Sequence, residues 1–508
     1  MEAAAVNRRL RLAQRCTIHP TAWSLALGAL TLAGLLLFFG RHGNDDAYIT
    51  FRYADNLLAG NGLVYNVGER TLSTTTPLYA LLLAGLGLLW RDLPAVACVA
   101  SALALVLAAV LLAKLAWDHG QRDVGLVAAM LLALSPLLLL SFGAETCLYV
   151  ALILAGFYAY DRSLGEPGGR GAGTQARRSR GHLMLAATAL AGAAMIRPDG
   201  VLAAGTLGAY HLIQRRPLPW QAVALYAGLV CGWYAALALY FGSPIPVTLL
   251  AKQQQGQMAI STRFAPGFVA LVLEYARLPF YWLHGLLALL GLGRVVTRDR
   301  YWLPLLAWTG LYFGAYTLLG VSRYFWYYAP LLPALVVLVA EGASMLARSA
   351  WRMALGTRES FRPLAKALAG LLLLLVLLPP IIGLVAVAWR PDPRLVVYRE
   401  IGQWLMANTP PQASVGVLEV GIIGYYAQRH IVDFAGLVQP DVARQLTASS
   451  DYQDSAAWAI RAYQPDYVVL HRTAFDAVAG SDWFSGDYEP LRSFADHRSL
   501  WLTVYRRR

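Results

Sequence analysis

Two adjacent aspartates, Asp45 and Asp46, stand in the stretch NDDAYITFRYADNLLAGNGLVYNVGER, the most hydrophilic part of the first hundred residues. The stretch follows the apolar run AWSLALGALTLAGLLLFFG, so the aspartates lie where the chain has just left that run. Paired carboxylates can take a proton from a hydroxyl group or bind a divalent cation. The simpler alternative is that both aspartates only cap the helix that follows, a common role for Asp.

Further charged residues stand at the ends of other apolar runs. They are Glu145 in SFGAETCLYV, Arg197 and Asp199 in IRPDG, Lys252 in YFGSPIPVTLLAKQQQ, and Arg323 in GVSRYFWYY. Any one of these cations alone reads as a residue that contacts lipid headgroups. Together, three cations and several acids predict a site that holds an anionic headgroup, because Arg and Lys both suit phosphate.

The composition places the chain among membrane proteins. Hydrophobic residues make up 58% of the sequence, charged residues 14%, and the mean hydropathy is +0.49. Apolar runs of about 17–25 residues recur, long enough for helices that cross about 30 Å of hydrocarbon. The net charge of +13 comes from Arg and Lys between these runs, which favours membrane orientation over nucleic-acid binding. The four cysteines indicate neither a disulfide framework nor a metal site.

The distribution of basic residues predicts the orientation. Arg8, Arg9, Arg11 and Arg15 precede the first apolar run, so the N-terminus is expected in the cytoplasm and the aspartates outside. Basic clusters at 160–181, 214–217, 294–300 and 344–366 then mark cytoplasmic loops. This pattern holds only if residues 76–90, which follow Pro77, make a partial or re-entrant pass. We therefore expect a polytopic α-helical membrane protein with about eleven transmembrane helices.

The chain divides into residues 1–390, with a first outer loop at 40–75, and a C-terminal domain at 391–508. In that loop, AYITFRYADNLLAG predicts a helix along the interface, and GNGLVYN a turn. In the C-terminal domain, DPRLVVYREIGQWLMANTP predicts an amphipathic helix, and ASVGVLEV, PDYVVLH and LWLTVYRRR predict strands. This soluble α/β domain is expected outside the cytoplasm. Glu419, Asp433 and His471 lie near strand ends, where such domains contact ligands; an inert lid is the alternative.

Several chemistries find no support in the sequence. It contains no P-loop, no paired-glycine dinucleotide motif, no histidine pair with zinc spacing and no G-x-S-x-G elbow. Nucleotide-driven and serine-hydrolase reactions are therefore not expected. A lipid or solute transporter or flippase remains the main competing class, because intramembrane charges also line transport routes. That class predicts charges at the bilayer midplane and two matching halves, whereas these charges gather at span ends and no internal repeat is visible.

The motifs taken together resemble a known family. The loop that contains Asp45 and Asp46 looks like the first outer loop of GT-C fold glycosyltransferases that use polyprenyl-phosphate sugars. It is closest to the terminal arabinofuranosyltransferases of actinobacteria and their bacterial relatives. GAET, RPDG, YFGSPIPVTLLAK, SRYFWYYAPLLP and VGIIGYYAQRHIVDFAGLVQPD follow in the family's order. The chain departs from the family after VYNVGER, where it reads TLSTTTP, a turn expected near the donor or acceptor.

The resemblance implies a reaction and partners. Such enzymes move a sugar from a polyprenyl-phosphate donor to an acceptor hydroxyl on the outer face of the plasma membrane, in cell-envelope glycan or glycoconjugate assembly. The acceptor is a glycan, glycolipid or protein, and the sugar is a hexose or pentose. The leaving group is polyprenyl phosphate, and a single displacement inverts the anomeric carbon; a retaining route would need a nucleophilic carboxylate on the opposite face.

The resemblance also assigns roles to residues. Asp45 is the first choice for the general base, and Asp46 either orients the acceptor or binds a divalent cation, with Mg²⁺, Mn²⁺ and Ca²⁺ all left open. Arg197, Lys252 and Arg323 are expected to stabilise the donor phosphate by electrostatic preorganisation. The expected acceptor and sugar contacts are Tyr48, Arg52, Glu145, Asp199, Tyr324 and Asp433.

Overall fold

A computed structural model describes residues 44–165, 172–356, 361–390, 392–496 and 501–508. The basic N-terminal segment, the first apolar run and the middle of the loop at 160–181 lie outside the described residues. The predictions that rest on those segments, including the cytoplasmic N-terminus, therefore stay predictions.

Helices joined by short turns form the part of the chain before residue 390. In chain order they are α1 (Asp45–Leu58), α2 (Pro77–Gly87), α3 (Leu93–Asp118), α4 (Arg122–Ala133), α5 (Pro136–Leu139), α6 (Thr146–Leu164), α7 (Ala172–Ile196), α8 (Val201–Ile213), α9 (Trp220–Phe241), α10 (Val247–Gln257), α11 (Phe264–Ala276), α12 (Phe280–Thr297), α13 (Leu303–Leu319), α14 (Leu332–Gly356) and α15 (Arg362–Ala388). Their apolar side chains pack into a core that includes the fully buried Trp302 and Trp308. Prolines at the first turns of α2, α3 and α13 start helices where the missing N–H has no cost.

Five segments of the described chain are long and apolar enough, by length and composition, to cross a membrane. They are Leu93–Asp118, Trp220–Phe241, Phe280–Thr297, Phe325–Ala354 and Arg362–Asn408. Helix α2, in the segment predicted to be re-entrant, has 11 residues. At about 1.5 Å per residue it is about 16 Å long, roughly half the hydrocarbon thickness. Helix α2 is therefore too short to cross the membrane as a straight helix. This agrees with the charge pattern, which requires that residues 76–90 do not cross fully.

The loops fall into two groups at opposite ends of the helices. In the first group, the N–H of Val247 donates to the carbonyl of Leu72, and the N–H of Ala259 donates to the carbonyl of Ala448 in the C-terminal domain. In the second group, Gln121 donates to Asp299 at 2.7 Å, and Arg348 pairs with Asp123. The loop at 242–266 therefore lies with the first loop and the C-terminal domain, and the loops at 294–300 and 344–366 lie at the other end, as the charge pattern predicts. Which end faces the cytoplasm stays a prediction.

A mixed five-stranded sheet is the centre of the C-terminal domain. The strands are β1 (Ser414–Val417), β2 (His430–Asp433), β3 (Tyr467–His471), β4 (Tyr488–Ala495) and β5 (Trp501–Arg507), in the order β2-β1-β3-β5-β4. Strands β2, β1 and β3 are parallel, and β5 is antiparallel to β3 and β4. Around the sheet lie α16 (Pro393–Asn408), α17 (Ile422–Ala427), α18 (Pro440–Ala443), α19 (Tyr452–Tyr463), α20 (Asp476–Ala479) and α21 (Asp482–Asp487). The predicted amphipathic helix and all three predicted strands are confirmed.

Helix α1 joins the two parts of the protein. Its N-cap is Asn44, whose side chain accepts the N–H of Asp46 at 3.2 Å, so the capping role considered for the aspartates belongs to Asn44. The helix ends in a turn in which Gly60 and Gly62 have φ of +83° and +88°, which glycine adopts without strain. The predicted helix and turn are therefore confirmed, and the position of the helix along the membrane interface stays a prediction. The apolar side chains of α1 share one core with those of β1, α16 and α17.

Arg52 fastens this junction. The buried guanidinium donates to the carbonyl of Tyr65 at 2.8 Å within the loop and to the carbonyl of Gly424 at 2.8 Å in the C-terminal domain. Asn66 adds a bond from its amide to the carbonyl of Ile431 at 3.0 Å. Since charged donors satisfy buried carbonyls strongly, the loop and the domain are held as one unit.

We expect Arg52→Ala to loosen this junction. The substitution leaves buried carbonyl groups without donors, so the free energy of unfolding should fall by about 3 kcal/mol. Thermal unfolding in detergent, together with limited proteolysis near residue 390, measures the effect. Arg91→Ala, at an exposed position, is the matched control. Equal stability of the two variants would show that Arg52 does not hold the domain.

Candidate active site

The Asp45 carboxylate binds backbone of the C-terminal domain. One oxygen accepts the N–H of Gly421 at 3.0 Å and the other accepts the N–H of Ile422 at 2.8 Å. A Cβ atom at residue 421 would lie 1.8 Å from the carbonyl oxygen of Asp45, so only glycine permits this approach. Burial raises the pKa of Asp45 to about 7, although the bond from Ile422 lowers it. Asp45 can therefore accept a proton near neutral pH.

Asp46 points to a different partner. Its carboxylate pairs with the ammonium of Lys252 at 3.1 Å, and the Lys252 side chain is only 6% exposed. The Lys252 ammonium also lies 3.7 Å from the centre of the Tyr324 ring. Tyr324 in turn donates its hydroxyl to Gln255 at 2.9 Å, one helical turn after Lys252 on α10. The ion pair and the ring fix this cation beside the two aspartates.

Arg197 is the centre of a second buried network. Its guanidinium pairs with Asp199 at 2.8 Å and with Glu145 at 3.3 Å. The same group donates to the hydroxyls of Tyr312 and Tyr316 at 3.3 and 2.6 Å. One cation therefore faces two carboxylates, so the charge of Arg197 is compensated within this network.

Two cavities meet at the start of α1. The first, about 580 Å³, contains Asp46, Lys252 and the Arg197 network and is otherwise largely apolar. Its wall includes Leu318, which is 89% exposed, so an apolar chain can enter from the lipid side. The second, about 430 Å³, is lined by Asp45, Asp46 and residues of the C-terminal domain. Residues shared by both walls are Asn44, Asp46 and Trp326.

The structure brings many of the predicted residues to these cavities. Those in the wall of the first cavity are Asp46, Glu145, Arg197, Asp199 and Lys252. Those in the wall of the second are Asp45, Asp46, Arg323 and Tyr324. Arg197 and Lys252 line the first cavity, whereas the exposed Arg323 lines the second, so the three cations are divided between the two cavities. Their expected role in holding the donor phosphate stays a prediction.

Three predicted acceptor contacts lie outside both walls. Tyr48 is buried and packs edge-on against Phe51 at 4.9 Å between ring centres. Arg52 serves the junction with the C-terminal domain, as described above. Asp433 is fully buried and accepts the N–H groups of Ala435 and Val438, both at 2.7 Å, so it shapes the turn after β2. These three are corrections: each side chain is satisfied internally, so none is available to a ligand in either cavity.

Some residues that line the first cavity were not among the predicted site residues. Ser73, Thr74 and Thr76, in the unusual TLSTTTP turn, line the first cavity, which agrees with the expectation that this turn lies near a substrate. Trp326 and Tyr327 line it as well, and the aromatic run SRYFWYY was the available signal.

The C-terminal domain contributes a carboxylate to the second cavity. Glu419, just beyond β1, lines the wall, and its Oε1 lies 2.7 Å from Nε2 of His471 at the end of β3. Its Oε2 is buried and has no partner among the described residues. Burial lowers the pKa of His471, but the bond to Glu419 outweighs this and raises it above its usual range. The position near a strand end therefore brings Glu419 to the second cavity, with His471 beside it, and contact with a ligand stays a prediction.

The acid pair does not fit a metal ion well. Among the described residues, no three His, Cys, Asp or Glu side chains cluster as metal ligands. Asp46, the predicted ligand, already binds the ammonium of Lys252, whose positive charge would repel a divalent cation. We therefore derive no step through a metal.

Comparisons with known proteins address the fold. Residues 389–505 match a protein-family model described as "Domain of unknown function (DUF8728)". No curated protein sequence matches the chain.

Solved membrane-enzyme structures resemble nearly the whole chain. ArnT from Cupriavidus metallidurans bound to undecaprenyl phosphate has 15% identity and a TM-score of 0.61, with coverage of 96% of this chain and 98% of ArnT. The oligosaccharyltransferase AglB from Archaeoglobus fulgidus, with an inhibitory peptide and a dolichol-phosphate, has 16% identity and a TM-score of 0.61, with coverage of 95% and 74%. The same organism's oligosaccharyltransferase in complex with Zn and sulfate has 14% identity, a TM-score of 0.57 and coverage of 93% and 72%.

These likenesses establish the predicted fold class. The chain is an α-helical membrane protein of the GT-C fold, with a small sheet-containing C-terminal domain. The closer resemblance to terminal arabinofuranosyltransferases stays a prediction.

Proposed function

We propose that this protein is an integral-membrane glycosyltransferase that transfers a sugar from a polyprenyl-phosphate donor to an acceptor hydroxyl. The observation that carries the proposal is the meeting of the two cavities at Asp46, on a GT-C fold. One cavity offers an apolar path and a buried cation, which suit a lipid phosphate. The other offers carboxylates and aromatic rings, which suit a hydroxyl-bearing acceptor. Undecaprenyl phosphate in the ArnT structure and dolichol-phosphate in the AglB structure support a lipid-phosphate donor.

The proposed reaction is a single displacement. The acceptor oxygen, in the second cavity, forms a bond to the anomeric carbon while the bond from that carbon to the phosphate oxygen breaks. The hydroxyl proton passes to Asp45, and the electron pair leaves with polyprenyl phosphate, which Lys252 stabilises. Attack from the side opposite the leaving phosphate inverts the anomeric carbon. Oε2 of Glu419 accepts a hydrogen bond from a second hydroxyl group of the acceptor substrate and thereby orients that substrate.

The finer assignments follow the resemblance. We propose a hexosyl or pentosyl donor and a glycan, glycolipid or protein acceptor in cell-envelope assembly. We place the protein in the plasma membrane, with the N-terminus in the cytoplasm and the C-terminal domain outside, as the basic loops indicate. The sugar-specific turn is the Ser73–Thr76 wall of the first cavity, where polar hydroxyls replace the expected family residues.

The direct test of function is sugar transfer by purified protein in lipid nanodiscs. Labelled polyprenyl-phosphate pentoses and hexoses are offered with candidate acceptors, and both stereochemistry and turnover are measured. Transfer of at least one sugar with inversion is expected. Passage of a labelled lipid across a proteoliposome membrane with no transfer would instead favour a flippase.

Asp45→Asn should abolish the base. We expect turnover to fall by about 10²-fold or more, while binding of the donor lipid changes less than about 2-fold. In the wild type, the rate should rise with pH through about 7, because only the deprotonated carboxylate accepts the proton. Asp55→Asn, on the same helix and bonded to Gln428 at 3.1 Å, is the matched control. An unchanged rate in Asp45→Asn, or a flat pH profile across this range, would remove Asp45 from the mechanism.

Lys252→Met should weaken the hold on the phosphate. We expect the affinity for polyprenyl phosphate to fall by about 10-fold or more, because a buried cation contributes strongly where water is excluded. Binding is measured by competition with a fluorescent lipid phosphate. Arg323→Met, in the second cavity, should leave this affinity within about 2-fold. The opposite ranking would put the phosphate in the second cavity.

Arg197 has an organising role in this proposal. Arg197→Met leaves Glu145 and Asp199 as unpaired buried carboxylates, so we expect the free energy of unfolding to fall by about 3–5 kcal/mol. Arg162→Met, which breaks the exposed pair with Asp118, should cost at most about 1 kcal/mol. Thermal unfolding in detergent compares the two. Full stability of Arg197→Met with lost lipid-phosphate affinity would return Arg197 to a direct binding role.

A further inference from the structure

A basic groove lies at the end of the helices opposite the C-terminal domain. It has a volume of about 540 Å³, and its wall contains five cations: Arg294, Arg298, Arg348, Arg352 and Lys366. Helix α14 begins beside the candidate active site, and Arg348 lies about 24 Å further along its axis, at a rise of about 1.5 Å per residue. The groove is therefore distinct from both cavities of that site.

The positions of these cations on and beside two packed helices bring them to one groove. Arg348 and Arg352 are four residues apart on α14, so they occupy one face of that helix. Arg294 lies in the last turn of α12 and Arg298 is the residue directly after its end, and both line the same groove. Close contact of the two helices brings the pairs together. A Cβ atom at Gly291 would lie 1.9 Å from the carbonyl oxygen of Leu338, and one at Gly342 would lie 2.0 Å from that of Leu287.

Carboxylates compensate only part of this charge. Arg294 pairs with Asp299 at 2.6 Å and with Glu341 at 3.1 Å, and Arg348 pairs with Asp123. These pairs hold two of the cations in fixed positions. The remaining three, which are Arg298, Arg352 and Lys366, have no carboxylate partner within the described ranges. An anionic ligand would therefore meet a preformed positive site.

The surroundings fit a lipid better than a soluble anion. Trp351 lies in the groove wall, with Lys366 6.0 Å from its ring centre, and Trp is typical of the membrane interface. Ala365 and Ala369 leave space on α15. Exposed leucines follow along the same helix, including Leu368 and Leu371, and offer a surface for acyl chains. A basic pocket between helices matches the chemistry of a lipid phosphodiester headgroup.

We propose that this groove is a binding site for the headgroup of an anionic phospholipid. The phosphodiester contacts Arg298, Arg352 and Lys366, and the acyl chains lie along α15. This site is independent of the proposed sugar transfer, since it shares no residue with the candidate active site.

The test is native mass spectrometry of the full-length protein in detergent with phosphatidylglycerol, cardiolipin and phosphatidylcholine added separately. We expect the anionic lipids to bind at least about 10-fold more tightly than phosphatidylcholine. A variant with Arg298→Gln, Arg352→Gln and Lys366→Gln should lose about 10-fold in affinity for phosphatidylglycerol. The matched control carries Arg215→Gln, Arg216→Gln and Arg300→Gln, which remove the same charge from exposed positions outside the groove.

Each outcome bears on the proposal. Equal losses in the two triple variants would show a general charge effect and overturn the site, as would equal binding of anionic and zwitterionic lipids. Inorganic phosphate is the third arm: displacement of phosphatidylglycerol by phosphate at equal concentration would assign the groove to a free anion. Single Lys366→Gln, at an exposed position, keeps the test valid if the triple variant does not fold, and should cost about 3-fold.

Discussion

The contact between the Asp45 carboxylate and the N–H groups of Gly421 and Ile422 is the constraint on which the site depends. It joins the first loop of the membrane domain to the C-terminal domain at the residue proposed as the base. The contact requires the absence of a side chain at residue 421, because backbone and carboxylate occupy that space. Burial of the same group raises its pKa to about 7. One arrangement therefore places Asp45 in the wall of the second cavity and gives it a pKa suited to a base at neutral pH.

The two buried cations of the site, Arg197 and Lys252, differ in how their charge is compensated. Arg197 neutralises part of the charge of Glu145 and Asp199, whereas Lys252 has Asp46 as its carboxylate partner and a tyrosine ring against it. A buried ion pair stabilises little by itself but is costly to break, so these pairs fix geometry more than they add stability. A phosphate that enters the first cavity meets Lys252 as the accessible cation. Because water is excluded from this part of the cavity, the attraction between the Lys252 ammonium and a phosphate is stronger than it would be in water.

The two ends of the helices carry different chemistry. At the end with the C-terminal domain, acids outnumber cations in the second cavity, and aromatic residues are interspersed, which suits hydroxyl groups. At the opposite end, two arginine pairs and Lys366 converge on one groove, and only part of their charge is matched. Close approach of α12 and α14 at Gly291 and Gly342 produces that convergence. The same bundle therefore has two separate surfaces, one proposed for the substrate and one proposed for a lipid.

The sequence by itself determined the membrane class, the grouping of loops at two ends, helix α1 with the turn after it, and the elements of the C-terminal domain that have strong periodicity. These features depend on hydropathy, charge and spacing within short segments, which can be read locally. Only the tertiary structure decided which charged residues meet. Asp46 and Lys252 are far apart in the chain, and the resemblance could not show that Arg323 lies in a different cavity from Arg197. Likewise, Tyr48, Arg52 and Asp433 look available in the sequence, but the fold buries all three. Arg52 bonds to a carbonyl group of the C-terminal domain, and Asp433 accepts N–H groups of the turn after β2.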